Sequence, residues 1–160
     1  LLTGKKIGII GYGRIGKKAA SLLNGFNCEI GFFDPGVIAS DGCIKKMQLN
    51  ELLSWADIVS VHANSREPIV GDNEFRVMKP GTLLINTSRA RSVDENALLA
   101  ALAQGRIGGA ALDVFSSEPY SGPLCNIENV LLTPHAGSYA LETRAAMELE
   151  ASENLLRALK

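Results

Sequence analysis

The sequence predicts a single α/β domain in which helices cover both faces of a parallel sheet. Two observations support this fold class. Short apolar runs that suit buried strands alternate with segments whose apolar residues recur at helical spacing. The strand-like runs are apolar throughout, as strands covered on both faces are. The chain has 160 residues, which is enough for one domain with its own core.

The first half of the chain supplies three strands and three helices. Apolar runs predict strands at 5–10, 28–34 and 57–62. Apolar residues at helical spacing predict helices at 14–23, 50–56 and 72–78. Asn50 is a candidate N-cap of the second helix. Pro80 ends the third helix, because proline cannot continue one.

The second half continues the alternation. Further apolar runs predict strands at 82–86, 107–115 and 129–133. Ser92 and Glu95 have the spacing of a capping box, which predicts a helix that starts there and ends at Gly105. The segment 138–160 predicts a long amphipathic helix. Its apolar face would contain Leu141, Ala145, Leu149, Ser152, Leu156 and Leu159.

Composition excludes several classes of function. The net charge is −1 and no basic stripe is present, so we expect no nucleic-acid partner and no membrane surface. The apolar runs are too short to span a bilayer. The cysteines Cys28, Cys43 and Cys125 are widely spaced, which argues against a metal site and a disulfide framework. Free thiols favour a reducing, cytoplasmic location.

A glycine-rich turn follows the first strand and opens the first helix. Gly11, Gly13 and Gly16 form a G-x-G-x-x-G pattern in the context that a dinucleotide-binding turn requires. Gly11 would permit the tight turn, and Gly13 would let the pyrophosphate approach the backbone. Gly16 would let the helix pack closely on the sheet. The N–H groups of Arg14 and Ile15 would point at the phosphates. The alternative is an ordinary strand-to-helix turn.

Asp34 ends the second strand, 18 residues beyond Gly16, close to the spacing expected for a ribose-binding carboxylate. A carboxylate there accepts hydrogen bonds from the ribose diol and repels a 2′-phosphate. Pro35 and Gly36 follow, so no neighbouring arginine could receive that phosphate. The sequence therefore favours NAD over NADP, the alternative being that Asp34 only caps a turn.

Four stretches occur in a diagnostic order: GYGRIG, INTSRARSVDE, GGAALDVFSSEP and LTPHAGS. In that order they resemble the D-isomer-specific 2-hydroxyacid dehydrogenases, over 4–156. EPYSGPL and the sequence after TPH are most similar to the phosphoglycerate-dehydrogenase-type members. The resemblance implies a Rossmann-type, three-layer, doubly wound sheet that binds NAD. It also implies an oxidoreductase that interconverts a D-2-hydroxy acid and its 2-keto acid, with 3-phosphoglycerate as one candidate substrate.

The same resemblance implies roles for individual residues. Arg89, Glu118 and His135 match the family's three catalytic groups, and Asp113 would contact the nicotinamide carboxamide. The remaining cofactor-lining positions implied are His62, Ala63, Thr87, Ser88, Ala136 and Gly137.

The chemistry of a 2-keto acid explains these catalytic residue types. Arg89 offers a planar, permanently charged fork for the substrate carboxylate. A protonated His135 can donate to the keto oxygen in reduction, and a neutral one can accept the proton in oxidation. Glu118 would orient the imidazole and favour its charged form.

Two residues depart from the family pattern. Ala90 stands where many members have glycine, and Arg91 follows it. Ala90 would narrow this loop slightly. Arg91 would add positive potential for a phosphorylated substrate or simply face solvent, so the residues leave the hydroxy acid open.

The resemblance also implies a separate substrate domain that this chain does not contain. The chain starts with Leu1, immediately before the first strand, so we expect it to be an NAD-binding domain (1–160) excised from a longer enzyme and inactive alone. The family implies a homodimer through 94–104 and 116–129, with Phe115, Tyr120 and Leu124 as candidate contacts. Alternative functions are an NAD-sensing corepressor-like scaffold and a glyoxylate or hydroxypyruvate reductase.

Overall fold

The computed structural model describes residues 1–37 and 44–159. Within these ranges the chain forms one parallel sheet, ordered β3-β2-β1-β4-β5-β6-β7, and five α-helices. The strands are β1 (Lys6–Ile10), β2 (Glu29–Phe33), β3 (Lys45–Lys46), β4 (Ile58–Val61), β5 (Thr82–Asn86), β6 (Ile107–Leu112) and β7 (Val130–Leu132). The helices are α1 (Arg14–Leu23), α2 (Leu49–Trp55), α3 (Asp72–Val77), α4 (Glu95–Ala103) and α5 (Leu141–Ala158).

The strand order reverses its direction between β1 and β4. β1 pairs with β2 on one side and with β4 on the other, and both pairings are parallel. In an open α/β sheet this switch point leaves a crevice at the carboxyl ends of the strands, where ligands bind. The doubly wound, Rossmann-type fold that the sequence predicts is therefore confirmed.

Neighbouring residues of β1 bury side chains on opposite faces of the sheet. Ile9 belongs to a small apolar cluster beside α1, which contributes Ala20. Ile10 belongs to the larger cluster, which receives side chains from α2, α3 and α4. Three layers result, because helices bury their apolar faces against both sides of the sheet.

One face of the sheet is less completely covered than expected. On the side of α1, Leu83 of β5 and Leu131 of β7 are 44% and 64% exposed. The last helix begins at Leu141 rather than residue 138, and none of its described residues is buried. The predicted long helix is therefore present over most of its predicted range, and its apolar face is exposed in this chain.

Several predicted element boundaries were also wrong. The N-cap of α4 is Asp94, whose side chain accepts hydrogen bonds from the N–H groups of Asn96 and Ala97. Ser92 instead donates its hydroxyl proton to the carbonyl oxygen of Ala63, so it forms no capping box. Asn50 lies inside α2, which Gln48 precedes.

Two strand predictions need correction as well. β6 ends at Leu112, short of the predicted residue 115, although the N–H of Asp113 still donates to the carbonyl oxygen of Asn86. β3 was not predicted, because two lysines carry no apolar pattern. Gly105 does follow α4 in the left-handed conformation, with φ of 63°, as its predicted C-cap role requires. Cys43 lies outside the described residues.

The segment 116–129 folds back on its own domain. It contains a short 3₁₀ turn, Pro123–Asn126, whose Leu124 is 1% exposed in the larger core cluster. The ring of Tyr120 stacks on Phe115 at a centroid distance of 4.6 Å. The prediction that Leu124 is available to a partner chain was therefore wrong. Among the helices in the described ranges, none is both long and apolar enough to cross a membrane.

Candidate functional site

The glycine turn has geometry that only glycine satisfies at two positions. Gly11 has φ of 90°, and a Cβ there would lie 2.6 Å from the backbone nitrogen of Ala63. A Cβ on Gly16 would lie 2.1 Å from the carbonyl oxygen of Gly11. Both contacts are far too close for a real side chain. A Cβ on Gly13 would instead meet nothing within 4 Å, so this position faces open space.

This open space lies at the amino terminus of α1. Gly13 is the N-cap residue, and the first turn of the helix contains no acidic side chain. Arg14 and Ile15 are both exposed there. Because backbone N–H groups and the helix dipole favour an anion at such an end, the turn fits a pyrophosphate.

Asp34 is tied to the glycine turn by its own side chain. One carboxylate oxygen accepts a hydrogen bond from the N–H of Tyr12 at 2.7 Å, and the other from the N–H of Gly36 at 2.8 Å. Tyr12 is 2% exposed, and its ring stacks on Phe32. The carboxylate is thus fixed beside the turn, where a ribose diol would be accepted. Tyr12 was not predicted to take part in the site.

His62 and Ala63 follow β4 and border the glycine turn from across the switch point. His62 Nε2 lies 2.9 Å from the hydroxyl of Ser60. Burial lowers the pKa of His62, because a charged imidazole is poorly solvated there. The neutral ring is therefore favoured beside the crevice.

The loop after β5 is organised by Asn86, which is 1% exposed. Its side-chain oxygen accepts hydrogen bonds from both the N–H and the hydroxyl of Ser88, and its amide donates to the carbonyl oxygen of Arg89. Thr87 and Arg89 remain exposed. Sequence reasoning missed Asn86, although asparagine at a strand end before a turn is a recognisable signal.

Glu118 and His135 form a direct pair. Nδ1 of His135 lies 3.1 Å and 3.0 Å from the two carboxylate oxygens of Glu118. The N–H of Phe115 donates to the same carboxylate at 3.1 Å. The hydrogen bond from His135, followed by that from Phe115, lowers the pKa of Glu118. An ionised Glu118 therefore faces Nδ1. The other ring nitrogen, Nε2, does not face this carboxylate.

Asp113 holds the loop that carries His135. Its carboxylate accepts hydrogen bonds from the hydroxyl of Thr133 at 2.6 Å and from the N–H groups of Ala136 and Gly137 at 2.8 Å and 3.1 Å. Burial alone would raise the pKa of Asp113, but these hydrogen bonds and nearby His135 outweigh it, and the net shift is downward. Thr133 was not among the predicted site residues.

A cleft of about 470 Å³ brings the three predicted catalytic residues together. Arg89, Glu118 and His135 all line it, and so do Ala90, Arg91 and Glu95. A second hollow of about 720 Å³ lies on another side of the Glu118–His135 pair, lined by Tyr139 among others. The predicted cofactor positions lie along the carboxyl edge of the sheet, in the segments that follow β1, β2, β4, β5, β6 and β7. In residues 1–37 and 44–159, no group of three or more His, Cys, Asp or Glu side chains could hold a metal ion.

These features define a class of protein: a dinucleotide-binding domain with a histidine–carboxylate pair in an adjoining cleft. Residues 1–137 match the family model described as D-isomer specific 2-hydroxyacid dehydrogenase, NAD binding domain. The chain belongs to the D-isomer specific 2-hydroxyacid dehydrogenase family and is an NAD-binding domain.

Individual relatives agree with this assignment. The chain is 39% identical over 164 residues to the D-3-phosphoglycerate dehydrogenase of Escherichia coli strain K12, and the match covers 96% of this chain and 40% of that protein. It is 39% identical over 163 residues to a glyoxylate reductase of Thermococcus litoralis, covering 97% of this chain and 49% of that protein. The crystal structure of a glyoxylate reductase from Paecilomyes thermophila superposes with a TM-score of 0.93 at 32% identity, covering 99% and 50% of the two chains. The chain thus spans half or less of each relative's length.

Proposed function

We propose that this chain is the cofactor-binding part of an NAD-dependent oxidoreductase that interconverts a D-2-hydroxy acid and its 2-keto acid. The observation that carries the proposal is the pairing of His135 with Glu118 in a cleft that Arg89 also lines. The rest of a longer protein supplies the substrate domain. The chain alone has little or no activity, because without that domain it cannot hold the substrate in the correct orientation. Correct orientation can account for roughly 7 to 11 kcal/mol of barrier reduction.

Arg89 binds the carboxylate of the substrate in this proposal. Its Nη1 donates to the carbonyl oxygen of Ser88 at 2.7 Å, which restrains the guanidinium and leaves other N–H groups for a ligand. A planar guanidinium can donate two parallel hydrogen bonds to a carboxylate, which a lysine cannot. Arg89 therefore contributes mainly to substrate binding and orientation.

His135 acts as the acid in reduction and as the base in oxidation. With Nδ1 held by Glu118, Nε2 is the nitrogen that exchanges a proton with the substrate oxygen. When bound, NAD would provide the hydride chemistry at the substrate carbon that carries this oxygen. Glu118 stays ionised and stabilises the imidazolium that forms in oxidation.

Kinetics of the full-length enzyme test this assignment. His135→Ala should lower kcat by about 10² to 10⁴, the usual contribution of a positioned acid–base group. Arg89→Ala should chiefly raise KM. Arg76→Ala is the control, because Arg76 is exposed on α3 and pairs with Asp72 of the same helix. A His135→Ala enzyme with near-normal kcat would remove His135 from the mechanism.

For the substrate, we favour a phosphorylated 2-hydroxy acid such as 3-phosphoglycerate. Arg91 lines the same cleft as Arg89, and within the described part of the chain no carboxylate forms a salt bridge with either. Two such cations suit a substrate with two anionic groups. Arg91→Ala should then lower kcat/KM for the phosphorylated substrate and spare that for glyoxylate. A wild-type preference for glyoxylate would favour the reductase alternative.

We also propose a cytoplasmic homodimer that forms through 94–104 and 116–129. Family membership supports the dimer, and the free thiols of Cys28 and Cys125 suit a reducing compartment. Leu124 is not part of the interface, because it packs into its own domain. Light scattering at micromolar concentration tests the dimer: a mass near twice 17.0 kDa supports it, and a mass near 17.0 kDa contradicts it.

A further inference from the structure

The Glu118–His135 pair is too exposed to hold its own geometry. The two side chains are 40% and 50% exposed. Ion pairs open to water contribute little, because solvent screens them and two mobile side chains must be ordered. Other contacts must therefore fix the backbone that carries Glu118. The first is the N–H of Phe115, which donates to the Glu118 carboxylate.

Phe115 is in turn held by Tyr120. The two rings stack at a centroid distance of 4.6 Å with an interplanar angle of 26°. Stacked aromatic pairs of this kind contribute beyond the area that they bury. Phe115 therefore links Glu118, through its backbone, to Tyr120, through its ring.

Tyr120 is anchored to a different part of the site. Its hydroxyl donates to Oε1 of Glu95 at 2.6 Å, while Ser116 donates to the other oxygen of Glu95 at 3.4 Å. Glu95 is the first residue of α4, shortly after the loop that carries Arg89, and it lines the cleft. Its carboxylate thus joins the side of the cleft that carries Arg89 to the segment that carries Glu118.

We propose that Glu95 and Tyr120 are positioning residues that hold Glu118 against His135. This inference rests on the proposed function, because the two residues would keep the acid–base pair of that function, Glu118 and His135, in contact. Among the described residues, neither side chain forms a hydrogen bond or an ion pair with Glu118 or His135. Both act through the segment 115–120, which Glu95 secures by accepting hydrogen bonds from Ser116 and Tyr120.

The hydrogen bond from Tyr120 to Glu95 persists across the pH range in which the enzyme would work. Burial and the hydrogen bond to Glu95 raise the pKa of Tyr120 to about 12. The hydroxyl therefore stays protonated and continues to donate. A hydrogen bond to a charged acceptor is about twice as strong as one between neutral groups.

Nuclear magnetic resonance of the 160-residue chain tests the proposal without cofactor or substrate. Tyr120→Phe removes the hydroxyl and keeps the ring that stacks on Phe115. The pKa of Glu118, followed at its side-chain carboxyl carbon, should rise toward the ordinary glutamate range, because contact with His135 is lost for part of the time. The Phe115 amide should exchange with solvent about tenfold faster, the usual effect of losing one hydrogen bond.

Two further variants make the result decisive. Glu95→Gln keeps the side-chain size and removes the charge, so it should shift both readouts in the same direction. Tyr139→Phe is the matched control: Tyr139 is exposed and lines the hollow beside the same pair, and its hydroxyl forms no hydrogen bond within the described residues. It should change neither readout.

The proposal fails if folded Tyr120→Phe leaves both the Glu118 titration and the Phe115 exchange unchanged. If Tyr120→Phe does not fold, the same measurements on Glu95→Gln decide the matter. Because no measurement depends on turnover, a failure here is distinguishable from a failure of the proposed dehydrogenase activity, which the His135→Ala kinetics would reveal.

Discussion

The carboxylate of Asp113 accepts hydrogen bonds from the backbone N–H groups of Ala136 and Gly137, the two residues that directly follow His135. His135 itself has φ of 53°. This left-handed conformation is disfavoured for residues other than glycine by roughly 1–2 kcal/mol. Asp113 therefore stabilises a turn that would otherwise relax, and it aims the imidazole at Glu118.

Asp113→Asn should destabilise the chain by about 1–3 kcal/mol. The amide loses the charge and turns one N–H donor toward the N–H groups of Ala136 or Gly137, so a polar group is left unsatisfied. Urea unfolding at neutral pH measures the change. Glu148→Gln on the exposed surface of α5 is the control and should alter stability by less than about 0.5 kcal/mol.

The acid limb of stability should also change in Asp113→Asn. The folded-state pKa of Asp113 is lowered, so its contribution is present above the ordinary aspartate pKa, about 3.9, and is lost as pH falls through the lower folded-state value. Wild type should thus lose more stability than the variant on acidification below about pH 4. Equal acid sensitivity of both proteins would contradict this role of the carboxylate.

His62 should make the chain less stable in mild acid. Its folded-state pKa is lowered by burial, so between its ordinary pKa, about 6.5, and that lower value the unfolded state binds more protons. Stability contributed by the neutral ring is complete above this window and falls as pH decreases through it. His62→Gln should reduce the slope of the free energy of unfolding plotted against pH between about pH 7.5 and 5.5. An unchanged slope would show that His62 titrates equally in both states.

Gly13 and Gly16 should fail for different reasons. Gly16→Ala places a Cβ 2.1 Å from the Gly11 carbonyl oxygen and should cost about 1–3 kcal/mol of stability as well as NAD binding. The Cβ added by Gly13→Ala meets nothing within 4 Å, so this substitution should change stability by less than about 1 kcal/mol. It should still weaken NAD binding, because the methyl group would occupy the space through which the pyrophosphate approaches the backbone. Gly25→Ala, also in open space but on a distant turn, controls for the added methyl group. Unaltered affinity in Gly13→Ala would mean that the pyrophosphate does not approach that position.

NAD should bind more tightly than NADP, and Asp34→Ala should narrow the difference. The substitution removes both the acceptor for the ribose diol and the charge that repels a 2′-phosphate. Calorimetric titration of the purified chain with each cofactor measures both affinities. Tighter binding of NADP to wild type would overturn the role assigned to Asp34, which the contact with Tyr12 positions.

The sequence by itself determined the alternation of strands and helices and the residues that meet at the carboxyl edge of the sheet. Both signals are local: apolar periodicity shows which segments bury side chains, and glycine spacing shows where backbone must turn sharply. Gly11, Gly16 and Asp34 could be recognised for this reason. Arg89, Glu118 and His135 were recognised through family motifs, because nothing in their local sequence shows that they share one cleft.

Only the tertiary structure decided how the site is supported. Thr133 and Tyr12 hold loops through partners that the chain topology brings near, and Glu95 meets Tyr120 across 25 positions of sequence. The same applies to Ser92, which binds Ala63 instead of capping α4, and to Leu124, which fills its own core. A polar side chain can satisfy its hydrogen bonds with any suitable neighbour, so its partner depends on which elements pack together, and that is fixed only when the whole sheet has formed.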